Sequence, residues 1–188
     1  MYTREDDIAH DFYRPGGFMA FRASVDSAGK LAAWNSHMIS FTADGKAAVA
    51  GGGWGATEFP AQYTPNYRAS QTLLPLAIPC GPWRAPGSNT AGWVVQSFMH
   101  EVSVAAKRDH GEFLLEVFGQ KQPAPAGAPA GPPGGLIPER AQGVIKVAME
   151  RSGWGKKLPK GHALGLAFHF SHQDIYCSIP AYPRCRTV

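Results

Sequence analysis

Cysteine is scarce: only Cys80, Cys177 and Cys185 occur, and no CxxC pair is present. Three thiols cannot all pair within one chain, so neither a disulfide framework nor a zinc site is expected. Cys80 stands in an apolar stretch and reads as a small buried hydrophobe. Charge is sparse as well, with 17% charged residues against 44% hydrophobic. The net charge is +4, yet the basic residues are scattered. They cluster only at Lys107 and Arg108, at Lys156 and Lys157, and at Arg184 and Arg186. No stripe of Arg and Lys interleaved with aromatics exists, so no nucleic-acid partner is expected. Long hydrophobic runs are missing too, since nothing approaches the ~18 apolar residues of a membrane helix. The opening MYTREDDIAHDF lacks the basic and apolar regions of a signal peptide. The chain as it stands is therefore expected to be soluble, untargeted and cytoplasmic. The sequence also lacks GxSxG, HExxH and paired catalytic carboxylate patterns.

Glycine and proline are plentiful, at 22 and 16 of 188 residues. Their sum stays below the roughly 25–30% that marks wholesale disorder. A loop-rich fold with a real core is expected. Residues 18–41 read as a β-hairpin. Phe21, Ala23 and Val25 alternate with Arg22, Ser24 and Asp26, residues 27–30 supply a turn, and Leu31 to Ile39 return. Residues 67–80 form another extended run, confined to an edge by Pro75 and Pro79.

A helix is expected after Gly87, capped by Ser88 or Asn89. Val94, Val95, Phe98, Val102, Ala105 and Ala106 share its apolar face, opposite Gln96, His100 and Ser103. Asp109 and Glu112 have the spacing of a capping box for a second helix through Phe118. A third helix spans about 139–152, with Ala141, Val144, Ile145 and Ala148 inward and Gly153 as its stop. Between them, residues 120–138 are a Pro/Ala/Gly tract that reads as a linker or long surface loop. Ala163 to Phe170 is a short strand candidate. The class expected is α+β: a twisted, mostly antiparallel sheet carrying two to three helices, incomplete as a domain. The expected divisions are 1–119, the loop 120–138, a continuation over 139–172, and a divergent tail over 173–188.

The strongest chemical signal is the run Gly81 to Asn89, GPWRAPGSN. Two prolines and two glycines fix a rigid turn, and the helix behind it offers free N–H groups and a positive dipole end. Arg84 in that turn presents a permanent cation with forked donors. The blander alternative is a rigid turn whose arginine meets a surface carboxylate. Other candidates are weaker. Gly51 to Gly55 lacks the phosphate-loop pattern and reads as a surface loop. Asp7, His10 and Asp11 share a helical face that more often is simply solvated. His169 and His172 would point to opposite sides of a strand. Trp34, Trp83, Trp93 and Trp154 read as core or near-core aromatics.

GPWRAPGSN followed by WVVQSFMHEVSVAAKRDHGEFLLEVF resembles the molybdopterin-binding region of the xanthine dehydrogenase and aldehyde oxidase superfamily. It is most similar to isoquinoline 1-oxidoreductase-like β subunits. TREDDIAHDFYRPGGF, EFPAQYTPNYRASQTLLPLAIPC and RSGWGKKLPKGHALGLAFHFSH resemble further stretches in the same order, covering most of 1–172. The resemblance implies a segment of a molybdenum hydroxylase that uses water as oxygen source on N-heterocycles or aldehydes. It implies that Arg84 faces the metal site, with Gly81, Trp83, Ala85, Gly87 and Ser88 near the pterin. It further implies a molybdenum–molybdopterin cofactor, in the cytosine dinucleotide form. The partners implied are a small [2Fe–2S] iron–sulfur subunit and the rest of the large subunit.

Departures accompany it. The family's GGGFG motif precedes this segment and is not to be equated with Gly51 to Gly55. The family's glutamate that activates the metal-bound hydroxide lies downstream of the matching region. After His172 the resemblance stops, which suggests a frameshift or premature end near Gln173. The competing reading is a non-catalytic remnant or interaction module that keeps the fold without cofactor. In either case the isolated chain is expected to be inactive.

Overall fold

The computed structural model describes residues 2–82, 85–122 and 135–171, and the backbone of 174–178 and 181–182. The short helix α1 (Arg4–His10) comes first, closed by a capping box between Thr3 and Asp6. Strands β1 (Phe18–Val25) and β2 (Leu31–Thr42) then form the expected hairpin, in register from Phe18 opposite Ile39 to Val25 opposite Leu31. Asp26 makes the turn, accepting at Oδ1 from the backbone of Ala28 and Lys30. β3 (Asn66–Pro75) pairs on the other side of β2, leaving β2 central and β3 at an edge.

The class is α+β, as expected, and the sheet is mixed. β1 and β2 are antiparallel, while β3 runs parallel to β2. A parallel neighbour demands a crossover. Residues 43–65 supply it as an irregular segment that includes the glycine run and a single 3₁₀ turn at Ala61–Tyr63.

Helices α2 (Ser88–Ala105), α3 (His110–Gly119) and α4 (Pro138–Ser152) follow. Asp109 caps α3 by accepting from the Glu112 N–H at 3.0 Å. Both of its carboxylate oxygens also take the Trp154 indole N–H, at 3.0 and 2.9 Å. One side chain thus joins the start of α3 to the end of α4. Gly153 adopts the left-handed conformation that stops α4, which glycine does without a Cβ penalty.

The strand expected over 163–170 is two pieces, β4 (Ala163–Leu164) and β5 (Ala167–Ser171), broken at Gly165 and Leu166. The tail, without periodicity in sequence, supplies β6 (Asp174–Ser178) and β7 (Ala181–Tyr182), which pair with β5 and β4 respectively. Backbone hydrogen bonding needs no apolar alternation, so such strands leave no periodic trace. Most of the 120–138 loop, and His172, lie outside the described residues.

The core forms where α2 meets the sheet and α3 and α4 pack in turn behind it. Trp34 from β2, Met99 and Val102 from α2, Phe113, Leu114 and Val117 from α3, and Ile145 from α4 are fully or nearly fully buried. Each such side chain is worth about 1.5–3 kcal/mol. Around Phe21, Trp34 and Phe98 the rings lie 5.1 to 5.5 Å apart, closing the sheet onto α2.

Several inward and outward assignments are corrected. Gln96 and Ser103, placed on the polar face, are buried. Gln96 Oε1 accepts the Phe168 N–H at 3.0 Å, tying α2 to β5. Ser103 Oγ donates to the His100 carbonyl and meets His110 Nδ1 at 3.2 Å. Helical spacing cannot separate a solvated polar residue from one whose partner arrives from a distant element. Trp93 is 73% exposed rather than core, lying on the rim of a surface cavity between α2 and the start of β1. Trp34 is core and Trp154 packs against it, as expected. Cys80 is half-buried, since it lies in a bridge with Tyr13 at the molecule's edge.

His110 is 5% exposed, its ring centroid 4.8 Å from that of His100. Burial, then the neighbouring His100, depress its pKa to about 4. The unfolded chain therefore binds an extra proton between about pH 6.5 and 4. Stability should be intact above pH 6.5 and fall as pH drops through that window, by up to about 3 kcal/mol. Urea denaturation from pH 7.5 to 4 should show this slope, and His110→Gln should flatten it.

Candidate functional site

The run from Gly81 to Asn89 is held from three sides. From below, the N-terminal segment forms a short bridge with it. The Tyr13 N–H donates to the Pro79 carbonyl at 3.2 Å, and the Gly81 N–H to the Tyr13 carbonyl at 3.1 Å. Gly81 sits under Phe12, where an added Cβ would lie 2.6 Å from the Phe12 Cβ. That approach requires glycine.

The bridge delivers Arg14 to the first turn of α2. Its Nη2 donates to the Pro86 carbonyl at 2.8 Å, to Asn89 Oδ1 at 2.7 Å and to Thr90 Oγ1 at 3.1 Å. A guanidinium can serve several acceptors at once because its donors are fixed in one plane.

From the side, the crossover's glycine run packs onto the turn. Gly51 has φ of +81°, and an added Cβ would lie 2.5 Å from the Pro86 Cβ and 2.8 Å from its carbonyl carbon. The run is fixed in turn by β2 and β3. Ser40 Oγ donates to the Gly52 carbonyl at 2.8 Å. The Gln71 side chain donates to the same carbonyl and to Ser40, and accepts the Trp54 N–H at 3.2 Å. Trp54 Nε1 donates to Ser36 at 2.9 Å. The expected surface loop is therefore a built wedge, with Gly51 its point of contact.

From above, β5 closes on α2. Ser88 Oγ lies 2.9 Å from Ser171 Oγ. The His169 ring rests on Gly92, where an added Cβ would fall 3.1 Å from Nδ1.

The N-cap is Gly87, with no side-chain cap. Neither expected capping residue acts as one. Ser88 is inside the helix and faces Ser171, and Asn89 serves Arg14. Ala85 sits at φ of +52°, a conformation costing a non-glycine residue about 1 kcal/mol or more. The turn is thus kept in a shape its sequence does not favour locally.

Ala85, Gly87 and Ser88 line a cavity of about 220 Å³ together with Gly51, Glu58 and His169. Gly81 is not among its lining residues. Trp83 and Arg84 lie outside the described residues. Burial pushes the Glu58 carboxyl pKa up. Burial likewise raises that of Tyr67, with the Glu58 charge adding to it.

The other candidates do not assemble. Asp7 pairs with Arg4 at 3.1 Å, His10 Nδ1 meets the Asp6 carbonyl at 2.8 Å, and Asp11 lies past the end of α1. Among the described residues, no three His, Cys, Asp or Glu side chains are grouped to hold a metal.

Arg14, Gln71 and Glu58 were not singled out in the sequence, and Gly51 and His169 were weighed there only as a surface loop and as a member of a histidine pair. Arg14 is some seventy positions from its partners, and no local pattern marks such a contact.

No protein-family model matches the chain. The chain is similar to a membrane-bound aldehyde dehydrogenase [pyrroloquinoline-quinone] of Gluconacetobacter polyoxogenes, with 27% identity over 203 aligned positions. The match takes in 97% of this chain and 25% of that protein, so the chain spans about a quarter of the relative's length. It is thus a distant relative of part of an oxidoreductase. Among the described residues no helix is long and apolar enough to cross a membrane.

Two substitutions test the bracing of the turn. Gly51→Ala should destabilise the chain by about 1–3 kcal/mol through its positive φ alone, and should shift the amide resonances of Gly87 to Ala91. Arg14→Met should give the same shifts, leaving β1 and β2 resonances in place. Unmoved α2 resonances in both variants would falsify the bracing role.

Proposed function

We propose that this chain is a segment of a larger oxidoreductase acting on aldehydes, in which the braced mouth of α2 meets an anionic redox cofactor. The observation that carries this is the uncapped first turn at Gly87 and Ser88, opening on a cavity and held by Arg14 and Gly51. Free N–H groups at a helix start favour an anion without further help. The similarity to part of an aldehyde dehydrogenase supports the aldehyde class.

The finer reading follows the residue-level resemblance. It makes the chain part of the large subunit of a molybdenum hydroxylase of the xanthine dehydrogenase and aldehyde oxidase type. Arg84 would then face the metal site and steady charge developing on an aldehyde or N-heterocycle. The backbone of Ala85, Gly87 and Ser88 would hold an anionic end of molybdopterin. A cavity of about 220 Å³ fits such an end and not the whole group. The rest of the subunit would enclose the remainder, and a small [2Fe–2S] subunit would take the electrons. When bound, the cofactor supplies the two-electron redox change. This chain's own residues orient it, with Arg14 fixing the turn and Gly51 setting its distance from the sheet.

A second reading has one specific support. The relative's name specifies pyrroloquinoline quinone. That compound also carries carboxylates, so the same helix mouth suits it electrostatically.

Expression of the intact reading frame with its neighbouring genes, followed by metal and quinone analysis, separates the readings. Molybdenum near one atom per complex is the expected result. A stoichiometric quinone without molybdenum would select the second reading, and neither would leave a remnant without cofactor. In the loaded enzyme, Arg84→Ala should lower kcat/KM by roughly 10²–10³. An unchanged rate would remove Arg84 from the chemistry.

A further inference from the structure

A second cavity adjoins the first, sharing Glu58, Ala91, His169 and Phe170 with it. Its volume is about 300 Å³, at the lower end of the range of roughly 300–1,000 Å³ for small-ligand sites. It lies between residues 57–63, α2 and β5. Phe59, Tyr63 and Phe168 form its aromatic wall. They are fixed against one another and against Phe118, with ring centroids 4.8 to 6.1 Å apart. Val95 and Leu136 complete the apolar lining. The wall is preformed, because Tyr63 and Phe168 are almost wholly buried and belong to the core.

Among the described residues, this lining holds one carboxyl, Glu58, and no lysine or arginine. None of the ion pairs among the described residues involves Glu58. Its raised pKa reflects burial alone, the mark of a carboxyl with no neighbouring charge to offset desolvation. The Tyr63 hydroxyl is buried and has no hydrogen-bond partner among the described residues. Aromatic faces around a single carboxyl favour a cation, since ring quadrupoles and the carboxylate attract the same charge. A neutral guest would leave the carboxyl as poorly compensated as before. His169 also lines the cavity, and burial pushes the Tyr63 hydroxyl pKa up to about 12, so that group stays neutral.

We propose that this cavity binds a small organic ammonium with a flat apolar body, its charge on Glu58 and its body against Phe59, Tyr63 and Phe168. The proposal shares Glu58 and His169 with the cavity at the α2 mouth and does not depend on the cofactor reading.

The test uses 2-phenylethylamine and its neutral isostere 2-phenylethanol, each titrated into the 188-residue chain by calorimetry. The amine should bind at least about tenfold more tightly than the alcohol. It should move the Phe168 amide resonance, which is fixed by Gln96. Glu58→Gln should bring the amine down to the alcohol's affinity and leave the alcohol unchanged, with the thermal transition showing that the variant is folded. Val95→Phe, which fills the cavity, should weaken both. Equal binding of amine and alcohol overturns the proposal, as does an amine preference that survives Glu58→Gln, or no binding by either.

Discussion

Arg14 reaches from the N-terminal segment to the start of α2, where the two hydrogens of one nitrogen are shared among a carbonyl, an amide oxygen and a hydroxyl. The helix start has no side-chain cap of its own. Helix termini carry several unpaired backbone groups that must be met somehow. Arg14 is a donor only, so it fixes acceptors beside the helix start without capping its N–H groups, and the mouth of α2 stays open. The seating of β5 rests on separate contacts, from Gln96 to Phe168 and from Ser88 to Ser171.

The glycine wedge is the complementary constraint. Residues 43–65 have to carry the chain from the end of β2 to a parallel β3, and they do so without a helix. Ser40 and Thr42, buried on β2, meet the irregular backbone at the Gly52 carbonyl and the Gly45 N–H, and Ser36 accepts the Trp54 indole N–H. Such partners satisfy polar groups where the segment is covered. The polar inward face of β2 and the glycine run are therefore two halves of one device. It sets Gly51 against Pro86, next to Ala85 with its left-handed backbone.

Two adjoining cavities with different character result. One has a mixed lining beside the helix start, and the other is walled by rings. Glu58 and His169 stand where they meet. The similarity to part of an aldehyde dehydrogenase relates the chain distantly to an oxidoreductase. The open helix mouth adds a place whose electrostatics suit an anion.

The sequence by itself determined the elements whose cause is local. Period-two alternation placed the β1–β2 hairpin, helical spacing placed α2, α3 and α4, Gly153 set the stop of α4, and Pro75 confined β3 to an edge. It also marked the turn from Gly81 to Asn89 as the rigid piece of the chain. Tertiary structure alone decided what that turn touches. The parallel pairing of β3, the burial of Gln96 and Ser103, the exposure of Trp93 and the roles of Arg14, Gly51 and Glu58 each depend on a partner far along the chain. Spacing records which residues share a face. It does not record which distant element arrives to cover that face, and burial and hydrogen bonding are settled only by that arrival.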